Sequence, residues 1–502
     1  MQHLVIFAYF AVLLVIGWIA SRRIHNLTDY YIGGKNLGYW VAAFSARASG
    51  ESAWLYLGLT GLGALVGLPA LWVVFGETLG VAIAWFLMAQ PFKRATDDYR
   101  SITIPDYLVS RFSSETSSAR TPHLIRLCAA SALTLFVTIY VSAQIDATGK
   151  AFDNFLGLNY YVGVIVGFGT VVTYTLSGGF LAVAWSDLFQ GLLMLVGLTV
   201  LPITAFAAVP AGTNLGLEVA AMGNGLISVW GPGGFTFSNV LIIISYAAIG
   251  LGFLGSPHVF VRFMAIRGES EIRMGRWIAV TFTILADSGA VLSGLLGRYL
   301  LVGTDGNFSS LLGPNGEQVL PELVNYLFPP LLASLFVLAV LAAIMSSIDS
   351  LLVVASAAIT RDFYQQTIKP QLSSESLTRI SRWVILGLSA IALVISLTVS
   401  YMYPDRTIFW YIIFGWSGIA ATFCPMIVLS LVWRRYNAQG ALTSMLTGLI
   451  CVPLFKFGVP LIPHWGPIIS QAEEMAPSFL AALLTGILAT LLTDRSHTTS
   501  SG

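Results

Sequence analysis

A pair of adjacent serines near residue 346 lies in a long apolar segment, where hydroxyl oxygens can bind a small cation. Residues 342–350 read AAIMSSIDS. Positions i, i+3 and i+4 share one face of a helix, so Ala343, Ser346 and Ser347 point the same way. Two hydroxyls and a freed carbonyl suit an alkali cation better than zinc or copper, which favours a cation site. The alternative is that both serines only bond back to their own helix.

Two other apolar segments carry small residues at which a helix can break. Residues 48–52 read ASGES, and Gly250, Gly252 and Gly255 precede Pro257. Helices that unwind near mid-membrane expose backbone carbonyls to a cation and backbone amides to a carboxylate. The alternative is that small residues only permit close helix packing. Because the two segments lie five predicted helices apart, as a five-plus-five inverted repeat requires, we expect both to belong to a binding site.

Several ionisable residues lie in apolar segments, although a charge at mid-membrane costs roughly 2.5–3.5 kcal/mol. Arg47 and Glu51 are four residues apart and can neutralise each other. Glu77 has no basic neighbour in the sequence, so three roles stay open: it can contact a substrate ammonium, carry a proton, or remain protonated and hydrogen-bonded. Asp187 is expected near the inner end of its span, on an ion exit path or at the interface. Asp349 follows the serine pair and can tune it.

The apolar segments that position these residues predict an all-α polytopic membrane protein with about thirteen transmembrane helices. Of the 502 residues, 56% are hydrophobic and 10% are charged, whereas a soluble domain carries about 25% charged residues. Each span needs about 20 apolar residues. The predicted spans are residues 3–21, 39–64, 68–92, 124–150, 159–179, 183–209, 239–256, 277–302, 324–358, 383–403, 407–433, 440–458 and 477–493.

The distribution of basic residues predicts the orientation of these spans. With the N-terminus outside, most of the 25 Lys and Arg residues fall in inward-facing loops, as the positive-inside rule requires. We therefore expect a protein of the cell (plasma or inner) membrane with a cytoplasmic C-terminus. Asp146 and Asp287 are expected near the outer ends of their spans, in contact with water. A net charge of +1 gives no basic face for nucleic acid, so the expected partners are lipid and a small solute.

Several motifs in one order resemble the sodium/solute symporter family, and among its members the sodium/proline symporters most. The motifs are residues 29–34, 45–59, 104–107, 178–190, 255–258, 261–265, 342–347 and 440–441. The resemblance implies a leucine-transporter-like fold with an extra N-terminal helix at 3–21. It places inverted repeats of five helices at 39–209 and 239–433, and two extra C-terminal helices at 440–493.

The resemblance also implies a sodium site, with sodium as the coupling ion. The family binds sodium with two backbone carbonyls of its broken second helix and three positions of its ninth helix. The matching residues here are Ala48, Glu51, Ala343, Ser346 and Ser347. Asp187 matches an aspartate that handles cations in the family, in some members at a second sodium site. Arg47, Gly50 and Asp349 adjoin these positions and are candidates to tune them.

The positions of the family's solute pocket match this chain less closely. They correspond to Ser52, Glu77, Tyr140, Ile249 and Phe253. The sodium/proline symporters place an aspartate at Gly50, a methionine at Glu51, a neutral residue at Glu77, a tryptophan at Ile249 and a tyrosine at Phe253. A carboxylate at Glu77 suits a solute that carries an amine, such as a different amino acid.

These features predict sodium-coupled symport of a small organic solute, proline or another amino acid, into the cell by alternating access. Two alternatives stay open. A proton-coupled carrier of an amine-bearing or carboxylate solute would use Glu77 or Glu51. A non-transporting sensor would bind solute without flux. An enzyme is not expected, because no nucleophile–base pair or metal cluster stands out in the sequence.

Overall fold

The computed structural model describes residues 2–113, 120–223, 225–304, 306–403 and 406–498, and these residues are almost entirely helical. The α-helices, numbered in chain order, are α1 Gln2–Ser21, α2 Leu27–Ile32, α3 Tyr39–Gly50, α4 Thr60–Val66, α5 Leu71–Ile83, α6 Ala89–Asp98, α7 Ile104–Ser113, α8 Arg120–Leu156, α9 Tyr160–Gly163, α10 Gly169–Ala207 and α11 Leu215–Ala221. They continue as α12 Phe237–Ala248, α13 Pro257–Ala265, α14 Glu269–Leu301, α15 Phe308–Leu312, α16 Val319–Leu327, α17 Pro330–Ala357, α18 Ser374–Met402, α19 Ile408–Val432, α20 Ala438–Pro453, α21 Gly466–Ile469 and α22 Met475–Thr498.

Short 3₁₀ and π-helical stretches link several of these helices into longer rods. They are Gly33–Lys35, Trp54–Leu59, Leu68–Ala70, Ala84–Met88, Val164–Phe168, Ile249–Leu254, Ala358–Ile368, Leu454–Gly458, Val459–Leu461 and Ser470–Ala472. Within the described ranges, β-structure is limited to one parallel bridge between Leu37 and Ile266. Because of these links, several membrane-spanning segments are longer than the individual α-helices that they contain.

Eleven helical segments among the described residues are long and apolar enough to cross a membrane. One of them, Tyr160–Ala207, covers 48 residues, about 72 Å at 1.5 Å per residue, or more than twice the hydrocarbon thickness. Gly179 interrupts it with φ 50° and ψ −149°. A Cβ at this glycine would lie 2.7 Å from the carbonyl oxygen of Tyr30. The interruption agrees with the predicted boundary between two spans, and the count of thirteen stays a prediction.

The segment Tyr39–Val66 is a helix with a break in the middle. α3 ends at Gly50, and Glu51 is extended with φ −76° and ψ 175°. Ser52 is also outside any helix, and the chain resumes helical geometry at Ala53. The break falls in the run of small and polar residues where the sequence predicts it.

A second break lies between α12 and α13. After α12 the chain forms the 3₁₀ stretch Ile249–Leu254 and leaves helical geometry at Gly255 and Ser256. α13 then begins with Pro257 at its first position, where the ring's fixed φ favours a helix start and no amide is lost to the ladder. A Cβ at Gly255 would lie 2.9 Å from the Cα of Cys424, so a glycine is needed for the close approach to α19.

The centre of the bundle is formed by α17 and α19. The most apolar windows of these two segments are 83% and 89% buried, whereas those of the α18 and α20 segments are 28% buried. A helix that is apolar all round is typical of a bundle core. The serine pair of α17 is therefore placed at the centre of the protein, in contact with α3.

Candidate ion and solute site

Ser346 on α17 contacts the helix break that follows α3. Its hydroxyl donates to the carbonyl oxygen of Ala48 at 2.8 Å and lies 3.1 Å from the carbonyl oxygen of Ala343, one turn earlier on its own helix. All three residues are fully buried. Ser346 therefore makes the contact within its own helix that the alternative interpretation predicts, and it also contacts the broken helix.

Ser347 contacts the same break from the next position of α17. Its hydroxyl hydrogen-bonds to the carbonyl oxygen of Glu51 and lies 3.3 Å from that of Ala343. The break changes the pairing at this point, because the amide of Leu55 bonds to the carbonyl of Ser52 at 3.1 Å. The carbonyl of Glu51 therefore accepts from Ser347 instead of from an amide of the next helical turn.

Five oxygen atoms of the residues predicted to bind sodium thus meet at one buried point. They are the carbonyl oxygens of Ala48, Glu51 and Ala343 and the hydroxyl oxygens of Ser346 and Ser347. A hydroxyl can rotate, and it has two acceptor lone pairs besides its donor. Both serines can therefore turn from donating to the carbonyls to coordinating a cation. Neutral oxygens of this kind suit an alkali cation.

Asp187 lies beside this point on the second half of α10. Its Oδ2 accepts hydrogen bonds from Ser45 at 2.6 Å, from Ser49 at 3.1 Å and from Arg262 at 3.0 Å. The aspartate is fully buried, and its assignment to an ion exit path or to the membrane interface stays a prediction. The sequence analysis missed its partner Arg262, because this arginine follows the end of a predicted span.

Asp349 joins the same polar network from α17. Its Oδ2 accepts a hydrogen bond from the hydroxyl of Tyr174 at 2.7 Å, and Ser350 donates to its Oδ1 at 3.2 Å. The Oγ atoms of Ser350 and Ser49 are 2.7 Å apart. Asp349 therefore reaches the helix break through two serines and does not itself touch the five oxygens.

Trp416 of α19 connects four residues of the predicted solute pocket. Its ring centroid lies 5.0 Å from that of Phe253 and 6.4 Å from that of Tyr140. Its indole N–H donates to the carbonyl oxygen of Ile249 at 3.0 Å. The hydroxyls of Tyr140 and Ser52 are 3.5 Å apart. The predicted pocket residues therefore lie together around a tryptophan that the sequence analysis did not single out.

His258 is a second pocket neighbour that the sequence analysis missed. Its ring centroid lies 5.6 Å from that of Trp416 and 6.4 Å from that of Tyr140. Trp416 was missed because hydropathy does not distinguish a tryptophan within an apolar helix from its apolar neighbours. A signal existed for the histidine, because it follows Pro257 in a motif shared with the resembling family.

Glu77, the fifth predicted pocket residue, lies in a group of buried charges. The Nη2 atom of Arg47 is 2.5 Å from Glu77 Oε1 and also pairs with Glu51. The predicted pairing of Arg47 with Glu51 is therefore present. The sequence did not reveal Arg47 as the basic partner of Glu77, because the two residues are 30 positions apart and lie on different helices.

The expectation that Asp146 and Asp287 contact water is wrong, because both are fully buried. Asp287 lies about four turns before the end of α14, well inside the segment, and one of its oxygens is within 4.8 Å of oxygens of Glu51 and Glu77. Asp146 is covered by its ion pair with Arg406 and also accepts a hydrogen bond from a neighbouring tyrosine hydroxyl at 2.7 Å.

Glycines bring α5 and the second break into direct contact around the pocket. A Cβ at Gly250 would lie 1.9 Å from the carbonyl oxygen of Gly76, the residue before Glu77. A Cβ at Gly50 would lie 2.5 Å from the ring of Phe253. Glu77 is therefore held at the pocket because no side chain separates the backbones of Gly76 and Gly250, and the ring of Phe253 occupies the space that a Cβ at Gly50 would need.

Comparison with known proteins gives consistent relatives over almost the whole chain. The sequence matches the sodium:solute symporter family over residues 30–448. It is 35% identical over 483 residues to the high-affinity proline transporter PutP of Bacillus subtilis, covering 96% of each chain. It is 33% identical over 445 residues to the sodium/proline symporter of Escherichia coli, covering 88% of this chain and 85% of that one.

Solved structures show the same fold. A Na⁺-coupled sialic acid symporter in a substrate-bound outward-open state has a TM-score of 0.79 at 20% identity, covering 98% of this chain and 97% of that one. A nucleobase-cation-symport-1 family transporter has a TM-score of 0.52 at 14% identity, covering 93% of this chain and 95% of that one. The predicted all-α, leucine-transporter-like fold class is confirmed. Together with the match over residues 30–448, this shows that the chain belongs to the sodium:solute symporter family.

Proposed function

We propose that this chain is a sodium-coupled symporter that carries a small amino acid into the cell, with proline as the first solute to test. The observation that carries the proposal is the contact of Ser346 and Ser347 with the carbonyls of Ala48 and Glu51 at a helix break. Family membership supports it, as do relatives named proline transporters in Bacillus subtilis and Escherichia coli.

Sodium at the five oxygens would couple α17 to the broken helix between α3 and α4. The ion would replace the hydrogen bonds that both serines now donate to carbonyls, so it would hold the break in one geometry. Ser52, which lines the solute pocket, immediately follows Glu51 in that break. A sodium ion that orders the break thus raises the affinity for solute, and by linkage the solute raises the affinity for sodium by the same factor.

The sodium gradient supplies enough free energy for accumulation of the solute. One positive charge moving down a potential of 100 mV releases about 2.3 kcal/mol. A tenfold sodium gradient adds about 1.4 kcal/mol. With one sodium ion per solute, these two contributions together support a solute gradient on the order of several hundredfold.

We place the solute among Ser52, Tyr140, Phe253 and Trp416, next to the carbonyl of Ile249. The break at Glu51 and Ser52 offers backbone amides and carbonyls, and the three rings offer apolar surface. A pocket with apolar walls and few polar groups suits a small amino acid.

We place the N-terminus outside and the C-terminus in the cytoplasm, and we assign Asp187 to the path by which sodium leaves. Its carboxylate already pairs with Arg262 at 3.0 Å. A second sodium ion would have to compete with this guanidinium, so an exit path fits the geometry better than a further full binding site.

Uptake by proteoliposomes containing the purified full-length protein tests this function. Radiolabelled L-proline is supplied first, and radiolabelled L-lysine and L-ornithine if proline is not accumulated, each under an inward sodium gradient, under an inward proton gradient without sodium, and with neither. We expect accumulation only with the sodium gradient. Accumulation driven by protons alone would support the proton-coupled alternative. Sodium-dependent binding of proline without flux would support the sensor.

A further inference from the structure

Three buried carboxylates lie together at the helix break beside the solute pocket. Oxygens of Glu51, Glu77 and Asp287 are all within 4.8 Å of one another, and the three side chains are fully buried. In the part of the chain that the structure describes, Arg47 is the basic side chain within ion-pair distance of this carboxylate group. When fully ionised, the carboxylates bear three negative charges against one positive charge.

Several polar atoms of the carboxylate group and of Arg47 have no hydrogen-bond partner among the described residues. They include Oε2 of Glu51, whereas the carboxyl groups of Glu77 and Asp287 lie close enough to share one hydrogen bond when either carries a proton. The Nε and Nη1 atoms of Arg47 also have none, although this residue is only 1% exposed. Buried polar groups are nearly always paired in proteins. Free acceptors and free donors in one buried place therefore indicate a ligand that bears both kinds of group.

The same group is continuous with the solute pocket. The guanidinium of Arg47 lies over the ring of Phe253, 4.6 Å from its centroid. Glu51 is followed directly by Ser52, whose hydroxyl faces that of Tyr140 at 3.5 Å. A solute in the pocket would therefore meet both the carboxylates and the guanidinium.

We propose that the solute of this symporter is a basic amino acid whose side-chain ammonium binds between Glu51, Glu77 and Asp287. This inference rests on the proposed function and specifies its substrate class. The side-chain ammonium of lysine or ornithine has three N–H donors, one for each carboxylate, whereas proline and norleucine have no side-chain ammonium. The positive charge of that side chain also stabilises whichever of the buried carboxylates are ionised. The free donors of Arg47 are then available to the carboxylate of the solute.

Ligand affinities of the purified full-length protein in saturating sodium chloride test this substrate class. The probes are L-lysine, L-ornithine, L-proline and L-norleucine, which keeps the four side-chain carbons of lysine but has no side-chain ammonium. We expect lysine or ornithine to bind at least about tenfold more tightly than norleucine and proline. Glu77→Gln and Asp287→Asn should each bring the lysine-to-norleucine affinity ratio towards one. Glu218→Gln, on exposed α11, should leave it unchanged.

The proposal is overturned if proline or norleucine binds as tightly as lysine, or if both variants keep the wild-type affinity ratio. It is also overturned if the variants remove a proton-driven uptake without changing that ratio, because the carboxylates would then be proton carriers. Thermal melting in detergent shows whether each variant is folded, and Glu77→Gln decides the result if Asp287→Asn does not fold.

Sodium-evoked charge movement in wild-type proteoliposomes without solute separates this inference from the proposed function. If the charge movement is absent, sodium coupling itself is wrong. If it is present and lysine and ornithine do not bind, only the assignment of a basic amino acid is wrong.

Discussion

The hydroxyl of Ser346 donates to the carbonyl oxygen of Ala48 at 2.8 Å across 298 residues of sequence. This bond joins the most central part of α17 to the last turn of α3, just before the helix breaks. In a continuous helix the carbonyl of Ala48 would accept from the amide four residues later. Its contact with a serine on another helix makes the geometry of the break depend on α17, which is the arrangement a coupling ion needs.

Removing the serine hydroxyls should weaken sodium binding. In the double variant Ser346→Ala/Ser347→Ala, two of the five oxygens are lost, and the remaining carbonyls cannot replace them. Because a hydrogen bond to a charged group contributes about 1.5–3 kcal/mol, we expect the sodium concentration for half-maximal solute uptake to rise about tenfold or more. Uptake measured over a series of sodium concentrations at fixed ionic strength checks this.

A matched control for the serine variants is available on the same helix. Ser356 is also buried on α17, but its hydroxyl donates to the carbonyl of Val353 on the same helix, at 3.1 Å. Ser356→Ala should keep the wild-type sodium dependence. An unchanged sodium dependence in the double variant would remove the serine pair from the ion site.

The face formed by Ala343, Ser346 and Ser347 could be predicted from the sequence because it depends only on the geometry of one helix. Spacings of three and four residues superpose on any α-helix. The break near Glu51 could be predicted for a similar local reason, since small and polar residues interrupt an apolar run. The helix face and the helix break that carry the proposed cation residues could therefore be predicted without knowledge of the packing.

The position of Asp287 could not be predicted, because it depends on contacts between helices. Hydropathy locates a span along the chain but does not say which neighbour a given side chain faces. Glu77 of α5 and Arg47 of α3 meet only in the folded chain, in which both helices pack against α14. The same limit applies to Trp416, whose neighbours come from three other segments.

Adding a methyl group at Gly250 should disrupt the contact between α5 and the second helix break. The new Cβ would lie 1.9 Å from the carbonyl oxygen of Gly76, so one backbone must move. Overpacking of this kind typically costs 1–3 kcal/mol, and we expect Gly250→Ala to lower the free energy of unfolding by about 2 kcal/mol or more. The melting temperature in detergent and the affinity for solute should both fall.

Gly387→Ala is the control for this steric argument. Gly387 lies in α18, and a Cβ there would meet no atom of the described residues within 4 Å. Replacing a helical glycine by alanine at an open site gains roughly 0.5–1 kcal/mol, so this variant should melt at the same temperature or slightly higher. If both variants melted alike, the close approach at Gly250 would not be required.

Breaking the buried pair of Asp187 and Arg262 should be strongly destabilising. Asp187→Asn leaves the guanidinium of Arg262 fully buried without its counter-charge. Loss of one partner of a buried pair costs about 3–5 kcal/mol, so we expect a lower melting temperature as well as slower transport. The exposed pair of Glu375 and Arg379, 3.8 Å apart on α18, provides the comparison.

Glu375→Gln should change the melting temperature little, because both partners of that pair are solvated. The comparison isolates burial as the cause, since each variant removes one carboxylate charge. The guanidinium of Arg262 also donates to the hydroxyls of Ser45 at 3.0 Å and Ser49 at 2.6 Å. Equal melting temperatures of Asp187→Asn and the wild type would show that such neutral contacts alone satisfy Arg262.

Labelling with a membrane-impermeant thiol reagent should establish the orientation of the chain. In a variant without the three native cysteines, Phe235→Cys is placed in the loop before α12 and Lys369→Cys in the loop before α18, both exposed. With the N-terminus outside, the loop before α12 faces outward and the loop before α18 faces the cytoplasm. We expect Phe235→Cys to react in intact cells and Lys369→Cys to react only after permeabilisation. The reverse pattern would contradict the orientation predicted from the basic residues, and the direction assigned to sodium release past Asp187 would then have to be reversed.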